Sequence, residues 1–397
     1  MTKHRSSSLT FGVLVALVTG VSLGYAGANV MPVFVEDIAS RFRMSDSESG
    51  LVAASQLLAT AVVTLAMAER ATRPGRVKSA RLGLLVAVVG FVGATFVSDP
   101  VSLIVANLVI GVGLGMVYAM ATAALASTDN PDRASTLTVV GTVCATALLL
   151  VAVPAANQNL TEGFGCLVMG VACLIGWPLV GRLPDASPPQ VTEVVQEKKT
   201  GTAPRPSAVL LTGMALLWAV TLGAWSYASV LGHEHTGMSS SDLSIVLAVS
   251  SVAALVGAVV GPYVAQRLGR MRSLAGFVVV QAVSMALLVT THSSPLFIVM
   301  SVVWQATQLA VLIQTLGAAA VLDSTGRLVA SLSGASALGV GFGPLLVGTF
   351  LDTLGITVLG VLLGMGTFVA SLPILKMTVS ASESIPAAER DEAPSVQ

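Results

Sequence analysis

Charge interrupts this sequence so rarely that it falls into apolar runs, each long enough to cross a membrane. A bilayer core of about 30 Å is spanned by about 20 apolar residues in helix. Charge-free runs extend over Ser6–Val35, Ser49–Ala68, Leu82–Ser98, Pro100–Thr128, Ala134–Thr161 and Gly163–Gly181. They continue over Ser207–Gly232, Leu243–Gln266, Ser273–Leu322, Leu328–Leu351 and Thr353–Leu375. The polar stretch His292-Ser293-Ser294-Pro295 divides the Ser273–Leu322 run in two, so these eleven runs predict 12 spans and an all-α membrane protein. The first run follows Lys3, His4 and Arg5 as a secretory leader would. It is longer than a leader's apolar region and has no small-residue cleavage site, so it reads as the first span.

Composition excludes the soluble alternatives. Only 10% of the 397 residues are charged and 54% are hydrophobic, whereas a soluble chain carries roughly 25% charged residues. Net charge is zero, with no basic block, so nucleic acid is not an expected partner. Cys144, Cys166 and Cys173 sit in apolar runs with no His or Cys at ligand spacing. They read as packing residues, and neither metal nor cofactor is expected. A membrane enzyme would need a catalytic cluster at the membrane face, and none is written in the sequence. The chain is expected to act as a monomer whose partners are a small solute and the lipid bilayer, with protons the candidate coupling ion.

Orientation follows from the cations. With the N-terminus inside, only Arg41 and Arg43 of the 20 Lys and Arg fall in outer segments, which predicts that both termini are cytoplasmic. The sequence also repeats at an offset of 194 residues. Met44-Ser45-x-Ser47-Glu48 returns as Met238-Ser239-x-Ser241-Asp242, Arg73-x-Gly75-Arg76-x-Lys78 as Arg267-x-Gly269-Arg270-x-Arg272, and Asp129-x-x-x-Arg133 as Asp323-x-x-x-Arg327. Six spans per copy is an even number, so both copies enter the membrane the same way, an arrangement of two-halved transporters that hold substrate between the halves. The expected organisation is a six-helix half over 1–181, a Pro-rich cytoplasmic linker over 182–206, a second half over 207–380 and a disordered tail over 381–397.

The loop Gln266-Arg267-Leu268-Gly269-Arg270-Met271-Arg272, its counterpart Arg73-Pro74-Gly75-Arg76-Val77-Lys78, and Gly341-x-Gly343-Pro344 in the eleventh span resemble signatures of major facilitator superfamily transporters of the twelve-span bacterial type. That resemblance implies alternating access in a cytoplasmic membrane, with spans one, four, seven and ten around a central cavity. It also implies gating by the loop cations Arg73, Arg76, Arg267 and Arg270. The family's loop aspartate is replaced by Thr72 and Gln266, which leaves Glu69, one helical turn earlier, as the candidate partner for arginine. Asn107 and the segment Val153-Pro154-Ala155-Ala156 stand where proton/drug antiporters carry an Arg and a Gly-Pro motif.

Polar stripes fall on those same four spans: Ser22, Tyr25 and Asn29; Asn107, Tyr118 and Thr122; Trp218, Thr221 and Trp225; Trp304, Gln305 and Gln308. A polar stripe in a span faces a cavity or another helix. Tyr25, Asn29, Tyr118, Trp218, Trp225, Trp304, Gln305 and Gln308 are therefore the candidate substrate-binding side chains. Such a wall suits a neutral or amphipathic organic solute that stacks on rings and shares a few hydrogen bonds. No ionisable group lies deep in a span. The coupling candidates stand at span ends, namely Glu36 and Asp37 and the triplet His233-Glu234-His235, where wet surroundings are expected to leave them near their solution pKa values. Export of an amphipathic solute is the expected function, and uptake of a neutral metabolite is the alternative.

Overall fold

The computed structural model describes residues 9–185, 207–323 and 327–383, and among these it is helical with no strand. The linker beyond Asp185 and the tail beyond Glu383 lie outside the described residues. In chain order the first part holds α1 (Phe11–Asn29), α2 (Met31–Phe42), α3 (Asp46–Ala66), α4 (Ala68–Ala71) and α5 (Arg76–Phe96). It continues with α6 (Pro100–Ala126), α7 (Pro131–Asn159) and α8 (Phe164–Leu179). The second part holds α9 (Ala208–Ser226), α10 (Ala228–Thr236), α11 (Ser240–Leu268) and α12 (Arg270–Thr290). It ends with α13 (Ser294–Leu322), α14 (Arg327–Leu354) and α15 (Ile356–Glu383). Twelve of them are long and apolar enough to cross a membrane, α2, α4 and α10 being the exceptions.

Local chemistry fixes the boundaries. Ser45 caps α3 with its hydroxyl on the Glu48 amide, and the Glu48 carboxylate returns to the Ser45 amide. Ser239 caps α11 by the same bond to the Asp242 amide. The repeated Met-Ser motif is thus a helix start, a cap worth about 1 kcal/mol. The repeated loop glycines also share a role: Gly75 and Gly269 take φ of 105° and 83°, values that favour a residue without Cβ.

The first apolar run departs from expectation. The helix breaks at Val30 rather than ending at Val35, and α2 carries it on to Phe42. Pro32 supplies the reason, since it lacks an N–H and its ring crowds the carbonyl four residues back. A second break, at Tyr227, separates α9 from α10.

Arg41 and Arg43, the exceptions to the cation bias, both have local work. Arg41 donates to the carbonyls of Ala94, Thr95 and Val97 at 3.0, 2.8 and 2.7 Å, placing its charge on the negative end of α5. Arg43 ends α2 in the left-handed conformation, with φ of 50°.

Candidate functional site

The bundle has a basic end, where α1 starts and the Arg-x-Gly-Arg loops lie, and an opposite end where α2, α10 and the start of α3 meet. The four stripes meet between them. Trp225 of α9 donates its indole N–H to the Asn29 carbonyl at 3.0 Å, joining the first six spans to the last six. Its ring lies 6.0 Å from that of Trp304 on α13, tilted by 58°, the offset geometry aromatic rings prefer. Tyr25 and Tyr118 make a second pair at 5.4 Å, between α1 and α6. Asn29 spends its amide on Thr146 at 2.8 Å and Ser22 its hydroxyl on Thr142 at 3.1 Å, so this stripe also stitches α1 to α7.

Trp304 is 1% exposed, yet its indole N–H has no partner, and neither has the buried Oε1 of Gln308 one turn along α13. A buried polar group without a partner is costly, and a ligand is one way to satisfy it. Gln305 and Trp218 are half-buried, and Trp218 lies by Thr221, Gln308 and Gln281. Gln281 of α12 is absent from the sequence candidates, because a lone amide in an apolar run forms no stripe. It is 1% exposed, donates weakly to Thr221 at 3.4 Å, and its Oε1 has no partner.

At the end opposite the basic loops, hydrogen bonds tie the two halves of the chain together. The Asp352 carboxylate, at the end of α14, accepts from the amides of Asp46 and Ser47 at 3.3 and 2.8 Å, on the N-terminus of α3. Tyr227 donates its hydroxyl to the Asp46 carbonyl at 2.5 Å, and Ser241 donates to Gln158 at 2.8 Å. Glu36 accepts from Ser229 and Ser240, the latter at 2.6 Å. Backbones approach closely here, since a Cβ on Gly50 would lie 2.5 Å from the Pro344 carbonyl and one on Gly348 would collide with that of Asp46. We call this the closed end.

Of the coupling candidates, Glu36, Asp37 and His235 are half-buried, and Asp37 has the carboxylate most affected by burial. Its carboxylate accepts from the Asn157 amide at 2.8 Å in a niche with Arg41, Gln56, Asn107 and Cys166. Burial pushes its pKa up to about 6, against the opposing pull of Arg41, so the expectation of an ordinary carboxylate is corrected. His233 is exposed, with Nδ1 2.9 Å from the Met238 carbonyl, and Glu234 is exposed beside it. His235 stacks on His292 at 5.5 Å, and burial lowers its pKa, which favours the neutral ring near neutral pH.

The loop candidates separate. Glu69 and Arg73 form an exposed ion pair at 2.6 Å. Arg76 is 6% exposed and donates to the Ala71 carbonyl, the Ser127 hydroxyl and the Pro184 carbonyl, so it binds the ends of α4 and α6 and the segment after α8 into one knot. The Asp185 carboxylate accepts from the Gly75 and Arg76 amides, at the N-terminus of α5. Arg267 is exposed and lies over the Tyr263 ring at 5.5 Å, while Arg270 reaches toward Gly317 at the end of α13. Among the described residues no group of three or more His, Cys, Asp or Glu could hold a metal ion.

The family model described as Major Facilitator Superfamily matches residues 16–326 and 219–397. Among solved structures, a peptide transporter POT in complex with sulfate superposes with a TM-score of 0.74 at 12% identity, over 94% of this chain and 95% of that one. A POT family transporter in complex with 5-aminolevulinic acid gives 0.72 at 13% identity, over 96% and 98%. A bacterial homolog of the human lysosomal transporter Spinster, inward-facing and unoccupied, gives 0.68 at 16% identity, over 94% and 95%. At these identities the likeness is one of fold. No curated protein matches the sequence.

Proposed function

The chain belongs to the Major Facilitator Superfamily and is a secondary transporter, and on that premise we propose that it exports a small neutral or amphipathic organic solute across the cytoplasmic membrane by alternating access. One observation carries the reading: an uncharged site where the halves meet, built of Trp225 and Trp304 at 6.0 Å, with the Trp304 N–H and the Gln308 oxygen left without partners. Rings offer an apolar solute stacking area, and the free donor and acceptor orient it. With the termini cytoplasmic, as the cation bias suggests, the closed end faces outward and the site is approached from the cytoplasm.

Protons are the proposed coupling ion. Asp37 supports this role, since a carboxylate with a pKa of about 6 changes charge in the physiological range. Glu36, its neighbour, holds Ser229 and Ser240 of the second half, so charge on α2 and closure of the outer end are adjacent. The deciding experiment measures accumulation of labelled organic solutes in cells with and without the protein, with the proton gradient collapsed as a control. Export predicts lower accumulation in expressing cells and loss of the difference when the gradient is collapsed. Higher accumulation means uptake and refutes export, and a difference that survives collapse refutes proton coupling.

A further inference from the structure

Within the second half two of the unpartnered polar atoms, Gln281 Oε1 and Gln308 Oε1, belong to residues that line one cleft. Helices α9 and α13 run antiparallel, so the contact of Trp225 with Trp304 brings Thr221 and Trp218 beside Gln308, and Gln281 of α12 closes the back. The cleft encloses about 240 Å³, counting its open side, and its floor is aliphatic, with Met214, Leu217 and Val311. In this conformation about 10 Å³ of it is clear, room for one water molecule, so a larger group enters as the helices part. Trp218 and Gln308 keep accessible surface, whereas Gln281 and Thr221 are each 1% exposed. The polar back wall is therefore deeper than its mouth.

The unsatisfied atoms define what fits. Gln281 Oε1 and Gln308 Oε1 each need a donor, and the Gln308 amide has no hydrogen bond to the protein among the described residues. Turning the Gln308 amide over only exchanges the places of its oxygen and its N–H groups, so in both settings it asks for a group that offers a donor and an acceptor. No ionised group lines the cleft to balance a charged ligand. A carboxamide meets these requirements, being uncharged and presenting a carbonyl oxygen and N–H donors on the same carbon. An ester of the same shape offers only acceptors and has no N–H for the Gln308 oxygen.

We propose that the cleft between α9, α12 and α13 is a subsite for an uncharged carboxamide group of the transported solute, read by Gln281 and Gln308. The proposal rests on the transport reading for its cargo, but it is a statement about binding and is tested by binding. The probes are phenylacetamide, N,N-dimethylphenylacetamide and methyl phenylacetate, which share a ring and differ in donors. Affinity is measured on the purified full chain in lipid nanodiscs by tryptophan fluorescence, since Trp218, Trp225 and Trp304 surround the site.

The expected result is a preference for the primary amide over the ester of about tenfold, the scale set by one unpaired buried acceptor. In Gln281→Leu the preference falls to below about twofold, and Gln308→Leu is a second, independent variant in case the first does not fold. Thermal melting establishes that each variant folds. Equal affinity for amide and ester in the parent protein overturns the proposal, as does a preference that survives in both variants or no binding of any probe. Flux separates the two readings: transport of other solutes without any amide preference sinks the subsite alone, and amide-selective binding without flux of any solute sinks transport alone.

Discussion

Removing Asp352 should open the closed end by an amount the structure sets. Its carboxylate accepts from the amides of Asp46 and Ser47, a helix cap supplied across the two halves of the chain. Such a cap is worth about 1 kcal/mol, and the exposure of Asp352 argues against a larger figure. Asp352→Ala should therefore lower the closed-to-open ratio about fivefold. Tyr227→Phe removes the hydroxyl bond to the Asp46 carbonyl, again about 1 kcal/mol. Both act on one turn of backbone, so their effects need not add, and the double variant should shift the ratio by up to about thirtyfold. Spin labels on the exposed positions Arg43 and Thr353, one in each half, report the separation across the closed end by pulsed electron resonance. The parent protein should show mainly the short distance, and the variants a growing long-distance population. An unchanged distribution in the double variant would refute the claim that these bonds hold the end shut.

Other outcomes follow from the same geometry. Asp37→Asn should keep the bond to Asn157 and remove the burial penalty on charge. The folded protein binds more protons at Asp37 than the unfolded chain between pH of about 4 and about 6, so parent stability falls as pH rises through that window. The variant should melt higher than the parent at pH of about 7.5, with the gap closing toward pH of about 4, and a constant gap would sink the assignment. Arg76→Ala should lower melting temperature and transport together, because three hydrogen bonds to the ends of α4 and α6 and to the segment after α8 are lost, whereas Arg270→Ala should lower transport more than stability. Cysteine at Ser293 should react with an impermeant thiol reagent in intact cells and cysteine at Thr72 should not, in a background where the exposed Cys144 is replaced. The reverse pattern would invert the orientation.

The spans are legible because burying charge in lipid is expensive and the sequence simply avoids it; the helices then run a turn or so past those limits, as Arg76 at the start of α5 shows. The Met-Ser repeat is legible as a pattern, and its meaning as a pair of helix caps needs coordinates. The closed end is not legible. Asp352 and Tyr227 stand 306 and 181 residues from Asp46, and no local pattern encodes a bond over that distance. Asp37 reads in the sequence as a wet span-end carboxylate because the apolar run continues through Pro32 and hides the break that turns α2 under the bundle's cover. Trp225, seven residues before the end of its apolar run at Gly232, is 5% exposed for a related reason: α10 carries the chain beyond it.

The repeated motifs hold matching local structure and unequal surroundings, and that inequality bears on mechanism. Ser45 and Ser239 both cap helices, but the α3 cap also receives Asp352 from the other half. Gly75 and Arg76 are fastened by Asp185, whereas a Cβ on Gly269 would meet nothing within 4 Å. Arg76 is buried in a knot, while its counterpart Arg270 is half-buried and reaches toward Gly317. Fastened loops move as a body, and loosely held ones let helices shift against each other. The unpartnered atoms of Trp304, Gln308 and Gln281 belong to the second half, the one with the looser loop. On the proposed function, recognition falls to helices that can part to admit a solute, and Tyr25, Asn29 and Tyr118 of the first half are the proposed wall for them to close upon.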